Sequence, residues 1–370
     1  MPLTISATDT EAQKPVNVFY NQMLLRNARP LAPYFIGTKP TESPMKSGAS
    51  TVKWRRYNTS ADNASGIAPT TTALSELTGT AAYMQGRDAS TVHFTDVTAT
   101  LNKYGQFYIL NEEVDVFLPN GTMMGITQTL AISAGRSLNY LQRNIVEDNA
   151  TLVYVGSATN DATSVSKIDL TSIASVINTL TRNSGMPFTA MGMGSENVGT
   201  SPILPGYWLL CHPDVAYDIS QIAGFKSSET YGVHTELAPG EFGLISSAGF
   251  SVRCIQTPEA SIDIDSGGAV GSTGLRSDGA ANIDLYTVSI YGMDALGSVG
   301  LGKMHTDGVY RGGDNQAGFE IIAKGRGTGR PSGTDDPFDE IMTLSWKAWH
   351  AGAVLNSNWV RGIRCGATAL

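Results

Sequence analysis

The stretch Asn120 to Ala150, NGTMMGITQTLAISAGRSLNYLQRNIVEDNA, constrains the fold more than any other part of the chain. Its apolar residues fall at Met123, Ile126, Leu130, Ala134, Leu138, Leu141 and Ile145, in steps of three or four. That spacing lays one stripe along an α-helix and cannot line one face of a strand. Gly125 and Gly135 are the only helix-weakening residues in its middle, while Pro119 and Asn120 precede it as stop and cap, with Thr122 a second cap candidate. Such a helix is about 40 Å long, close to the width of a domain. The opposite face (Thr127, Gln128, Ser133, Asn139, Gln142, Asn144) is polar but nearly uncharged. A solvated helix carries more Lys and Glu, so both faces are expected to meet protein. The helix reads as a spine.

Composition supports a subunit that touches other protein. Among 370 residues only 16% are charged, against roughly a quarter in ordinary globular chains. Gly is abundant, at 40 residues. The net charge of −8 argues against a phosphate-binding surface, which needs clustered Lys and Arg. No apolar run reaches the ~20 residues that span a bilayer. The start, MPLTISATDT, lacks the basic and apolar regions of a signal peptide. Cys211, Cys254 and Cys365 are odd in number and widely spaced, which fits buried thiols in a reducing cytoplasm and no metal site.

Taken in order, residues 1 to 47 form an extended arm with one helix, carrying Val16, Phe19, Tyr20, Met23 and Leu24 on one face. Pro30, Pro33, Pro40 and Pro44 then keep the chain extended. TVKWRRY and the Thr- and aromatic-rich run from Ser90 to Leu110 read as strands. The second changes phase near Asp96, suggesting a bulge. With the long polar insert between them they describe a projecting hairpin, marginal alone and in need of a partner. Beyond the spine lie a strand at ATLVYVGSA, a helix from a capping Asp169 to Gly185, and a strand Tyr207 to Cys211. The chain turns there at His212-Pro213 into a short helix, and further strands follow at Gly249–Gln256 and Ile283–Tyr291. Gly300 to Pro337 is Gly-rich and reads as loop. IMTLSWKAW alternates Met342, Leu344, Trp346 and Ala348 on one face of a long strand, and SNWVRGIRCGA reads as its hairpin partner. The layout is α+β.

The chain holds no HExxH, GxSxG or P-loop, and its five histidines show no ligand spacing. His212 reads as a turn residue. Gly325-x-Gly327-x-Gly329 lacks the flanking strand and helix of a phosphate loop. Asp263-x-Asp265-x-Gly267 lacks the closing Glu of a calcium loop and reads as a polar turn. Lys53, Arg55 and Arg56 read as a salt-bridging strand face, with Trp54 alternating inward. No catalytic, cofactor or metal residue is assigned.

In their order, TVKWRRY (Thr51–Tyr57), VTATLNKYG (Val97–Gly105), HPDVAYDI (His212–Ile219), GEFGLISSAGFSV (Gly240–Val252), YGMDALGSVGL (Tyr291–Leu301) and WKAWHAGAVLNSNWV (Trp346–Val360) resemble the major capsid proteins of tailed bacteriophages. These have the Hong Kong 97-type fold, and the narrower resemblance is to the enquatrovirus-type (N-four-like) family. The resemblance implies an N-terminal arm (1–47), an E-loop hairpin (48–107) and a P-domain first part (108–164) with the spine helix at 121–149. An A-domain (165–334) and the P-domain's C-terminal strands (335–370) follow. The inserts 186–205 and 303–336 depart from the family, and no motif places crosslinking residues.

It further implies a structural, non-enzymatic protein in the virion capsid, assembled in the host bacterial cytoplasm. Its partners would be many copies of itself in pentamers and hexamers, with portal, scaffolding and decoration proteins beside them. The icosahedral shell would enclose double-stranded DNA without specific binding, and no membrane or cofactor is involved. Trp54, Arg55, Arg56, Phe94 and Tyr104 of the hairpin, Phe19 and Met23 of the arm, and Gln128 and Gln142 of the spine are the candidate inter-subunit contacts. The rival reading is a β-rich secreted fibre or adhesin subunit.

Overall fold

The computed structural model describes residues 33–36, 38–40, 50–57, 94–113, 122–188, 205–231, 238, 240–247, 250–279, 281–300, 319–325, 336–338 and 340–370. The expected arm helix with Phe19 and Met23, the hairpin insert, the cap at Asn120 and the Gly325–Gly329 loop beyond Gly325 lie outside them.

The spine helix runs Thr122–Asn149, 28 residues and about 42 Å. Among the described residues one five-stranded sheet lies against it. In that sheet β14 (Ile341–Val354) is central and pairs antiparallel with β4 (Asn102–Asn111), β13 (Phe319–Gly325) and β12 (Leu296–Gly300), and β1 (Lys39–Pro40) adds parallel to β12. The inward residues of β14 are the alternating set read from the sequence. Met342, Leu344, Trp346 and Ala348 bury against Leu130, Ala131, Ala134 and Leu138 of the helix, with Leu110 of β4. Two periodicities, 3.6 and 2, thus meet along one seam.

A second sheet has the order β5-β15-β11-β6-β9-β8-β7, with β10 (Ile262–Asp263) on β11. Its strands are β5 (Thr151–Tyr154), β6 (Gly206–Cys211), β7 (Phe225–Ser227), β8 (Glu241–Ser247), β9 (Phe250–Gln256), β11 (Leu285–Tyr291) and β15 (Val360–Cys365). The helix Leu170–Arg182 covers it with Ile173, Val176, Ile177 and Leu180. Asp169 caps that helix, its carboxylate accepting from the Ser172 N–H at 2.9 Å. At the other end Ser184 takes the left-handed conformation (φ 57°), and the Gly185 N–H closes onto the Leu180 carbonyl at 2.8 Å. The left-handed residue is therefore Ser184, one position before the glycine expected to stop the helix. His212 caps the Pro213–Ser220 helix, its ring nitrogen accepting from the Asp214 N–H, as a turn residue would. Asp265, at φ 56°, accepts from the Asn282 N–H, so the Asp263–Gly267 stretch is a polar turn.

The spine joins the two sheets. Its end residue Val146 is buried among Trp208, Leu210, Tyr291, Leu296 and Val360, between the sheets. Three expectations change here. The C-terminal strand β15 is not the hairpin partner of β14; it pairs with β11 and, in parallel, with β5. The reason is that β11–β12 and β14–β15 are two antiparallel paths, each passing from one sheet into the other, with breaks at 292–295 and 355–359. Within the Gly-rich region read as loop, Phe319–Gly325 is a strand, supported by pairing to β14 that overrides weak local signals. The phase change placed near Asp96 is a strand break at Leu101 between β3 (Phe94–Thr100) and β4, and Asp96 itself is regularly paired to Arg55. Both β12 and β13 fall within residues 165–334, and their ladders lie in the sheet of β14.

The seam predicts a cost. Leu138→Ala should lower the unfolding free energy by roughly 2–5 kcal/mol, the range for a buried Leu leaving a cavity. Chemical denaturation of the purified subunit measures it, and an unchanged midpoint would mean that the helix is not packed on this sheet.

Candidate assembly surface

The hairpin base is β2 (Thr51–Tyr57) paired antiparallel with β3. Period-2 alternation gives it two unlike faces. The inner face carries Val52, Trp54 and Arg56. Val52 and Leu101 are buried with Val299 and Ala351 of the five-stranded sheet, with Trp54 and Trp349 packed around them. The Trp54 ring lies so close to Gly297 that a Cβ there would sit 3.1 Å from it. Arg56 donates to the Leu355 carbonyl at 3.4 Å. Trp54 and Arg56 are thus committed first to their own chain.

The outer face is open. Lys53 Nζ lies 2.6 Å from Asp96, and Arg55 grips the same carboxylate through two nitrogens at 2.9 and 3.1 Å. The hydrogen bonds from Arg55, then Lys53, hold the Asp96 carboxyl well below the usual carboxylate range. Lys53 and Arg55 therefore make the salt-bridging face read from the sequence, while Arg56, expected with them, lies on the inner face. Arg55 also stacks over the Phe94 ring at 4.1 Å. Phe94 and its cross-strand partner Tyr57 are 52% and 68% exposed. Two exposed aromatics thus lie beside a paired cluster of two cations and one carboxylate, which keeps a single net positive charge.

A second apolar patch lies on the outward side of β4, where Phe107 and Ile109 are 64% and 59% exposed. They stand opposite Ser345 and Thr343 on β14. Neither they nor Tyr57 were among the contact residues read from sequence. The signal was present: in KYGQFYIL the residues Tyr104, Tyr108 and Leu110 share the inward face, leaving Phe107 and Ile109 outside. By the same alternation Tyr104 packs against the spine cluster and is half-buried.

The spine's polar face divides. Gln128 and Asn144 are exposed, and Ser133 donates to Gln106 at 2.6 Å. Thr127, Asn139 and Gln142 are buried inside the chain. Gln142 is therefore not an inter-subunit contact. It faces β14 at Gly352, where an added Cβ would stand 2.7 Å from its Oε1. Neither of its amide atoms has a hydrogen-bond partner among the described residues. Polar character alone had placed it on the surface, but the helix is enclosed on more than one side.

The cysteines are all free and buried, and burial pushes the Cys365 thiol up to about 12. Among the described residues no His, Cys, Asp and Glu cluster could hold a metal ion, and no helix is long and apolar enough to cross a membrane.

A subunit with a two-sheet body, one connecting helix and an exposed aromatic hairpin face matches a known class. A family model described as phage capsid protein matches residues 95–365. Among solved structures, the chain is similar to the capsid of Ralstonia phage GP4 (10% identity, TM-score 0.54, 86% of this chain and 84% of that one). It is similar too to the head structure of Helicobacter pylori bacteriophage KHP40 (11%, 0.50, 91% and 90%) and to a chain of Mycobacterium phage Che8 (13%, 0.50, 90% of each). No curated protein matches. The fold is the Hong Kong 97-type capsid fold. The chain belongs to the phage capsid protein family and is a major capsid protein, a structural subunit of a self-assembled virion shell. The family match also sets aside the fibre or adhesin reading.

Gln142 gives a prediction. Because its amide loses water without gaining a partner among the described residues, Gln142→Met, which keeps the volume, should be neutral or stabilising by about 1 kcal/mol. Gln142→Ala should destabilise instead, by leaving a cavity. A thermal melt of both variants separates this from a surface position, where neither would move.

Proposed function

We propose that the chain is the head protein of an enquatrovirus-type phage, forming pentamers and hexamers of an icosahedral shell built in the host bacterial cytoplasm. The family match over residues 95–365 is the observation that carries the reading. The shell encloses double-stranded DNA without specific binding, which a net charge of −8 favours. Portal, scaffolding and decoration proteins are its further partners. The domain division proposed is the arm at 1–47, E-loop at 48–107, P-domain at 108–164 and 335–370, and A-domain at 165–334. The strands β12 and β13 are counted with the P-domain sheet to which they are hydrogen bonded.

Contacts between copies are assigned to the outer hairpin face, through Arg55, Tyr57 and Phe94, and to Phe107, Ile109 and Gln128. Exposed aromatics of this kind are enriched where protein surfaces meet.

Two measurements test the reading. Purified protein should sediment as closed particles that are visible by negative-stain microscopy; a monodisperse subunit under all conditions would overturn it. Replacing Phe94 with Ala and Tyr57 with Ser should cut particle yield at least tenfold while the subunit melting temperature stays within about 2 °C, since exposed positions change stability by at most about 0.5 kcal/mol. DNA binding by the subunit should be weak at physiological salt. Tight, salt-sensitive binding would contradict enclosure without specific binding.

A further inference from the structure

The segment 33–40 is tied to the molecule by two chemically different contacts. One is polar. Tyr34 is fully buried, its backbone N–H donating to Asn139 Oδ1 at 3.1 Å and its hydroxyl to Glu147 Oε1 at 3.2 Å, both on the spine helix. The Tyr291 hydroxyl donates to the Ile36 carbonyl at 3.0 Å, and Lys39–Pro40 runs beside Gly297–Ser298. The other contact is apolar: the Phe35 ring stands edge-on to the His350 imidazole, with centroids 5.6 Å apart. His350 is buried on β14, and neither ring nitrogen makes a hydrogen bond of good geometry among the described residues, although the Val299 backbone lies near enough to favour the protonated ring. An imidazolium there would present two donors and a charge to a phenyl ring and a sheet interior.

We infer that residues 33–36 and 38–40 form an acid-released latch, in which protonation of His350 expels Phe35 and frees the segment from the spine helix and β14. Burial holds the latched imidazole down to about 4, opposed by the Val299 backbone. Its register partners, Asn102 on β4 and Gly300 on β12, do not titrate. Lys347 on β14 and Lys103 on β4 stand on the opposite sheet face by alternation. The charged groups of the neighbouring helix are Arg136, Arg143, Glu147 and the exposed Asp148, with Glu259 on the turn after β9. Arg143 pairs with Glu147 at 3.6 Å, and Arg136 with Glu259 at 3.2 Å. Burial raises both carboxyls, so acid moves them towards the form that burial favours, and a protonated Glu147 still accepts from Tyr34. By linkage these raised carboxyls oppose release as pH falls, and His350 on the Phe35 side is the group that drives it.

The sign follows from linkage. With Phe35 gone, water reaches His350 and its pKa returns towards 6.5; latched, it is about 4. Opening is favoured as pH falls below 6.5 and levels off below about 4. Between pH 7 and 5 the opening equilibrium should rise by up to roughly twenty-fold, the His350 contribution less what Glu147 offsets.

Hydrogen exchange on the full-length protein, read by mass spectrometry and corrected for the intrinsic pH dependence, tests this. Peptides covering 33–40 should lose protection by that factor between pH 7 and 5, while those of β11 do not. His350→Leu should abolish the change. Phe35→Ala should leave 33–40 unprotected already at pH 7, with no further acid effect. Constant protection in the parent would overturn the latch, as would an equal acid response in either variant. The readout does not depend on shell formation, so failure of the latch and failure of assembly are separate results.

Discussion

The packing of Leu130, Ala134 and Leu138 onto Leu344 and Trp346 is the contact on which the rest of the structure depends. It fixes the spine helix across the five-stranded sheet, and the helix then carries Val146 into the junction with the eight-stranded sheet. Burying one such leucine is worth roughly 1.5–3 kcal/mol, so the seam outweighs any single surface contact described above. A rigid body follows, and a rigid body can present the hairpin at a fixed angle.

Rigidity matters because a shell subunit must make the same contacts repeatedly. The inner hairpin face is stapled to its own chain by Val52, Leu101, Val299 and Ala351, which leaves Tyr57, Phe94 and the Arg55–Asp96 pair pointing outward. Few net charges remain on that face. Like-charge repulsion across it is correspondingly small, and aromatic area stays exposed for the proposed contact.

Much of this was legible in the sequence, and the failures have physical causes. The long helix, the Asp169-capped helix, the His212-Pro213 turn and the inward set on β14 rest on local periodicity and caps, which residues a few positions apart declare. The partner of Val360–Cys365 is set by β11, some seventy residues away, and no local signal carries that. Phe319–Gly325 was hidden by glycines whose weak propensity is overridden by pairing on β14. Gln142 was misplaced because a polar residue on a helix face reads as solvated, whereas this helix is enclosed by β14 at Gly352 and by the turns holding Tyr34 and Glu259. Tyr57, Phe107 and Ile109 followed from the alternation already used for their neighbours.

The central claim, that a rigid spine-and-sheet body assembles through an outward hairpin face, is tested most directly by a cryo-electron microscopy reconstruction of the assembled particle. The account predicts that Tyr57, Phe94 and Arg55 are buried against a neighbouring copy while Leu138 stays packed on Trp346 within its own chain. A closed shell in which that hairpin face remains open to solvent would contradict it.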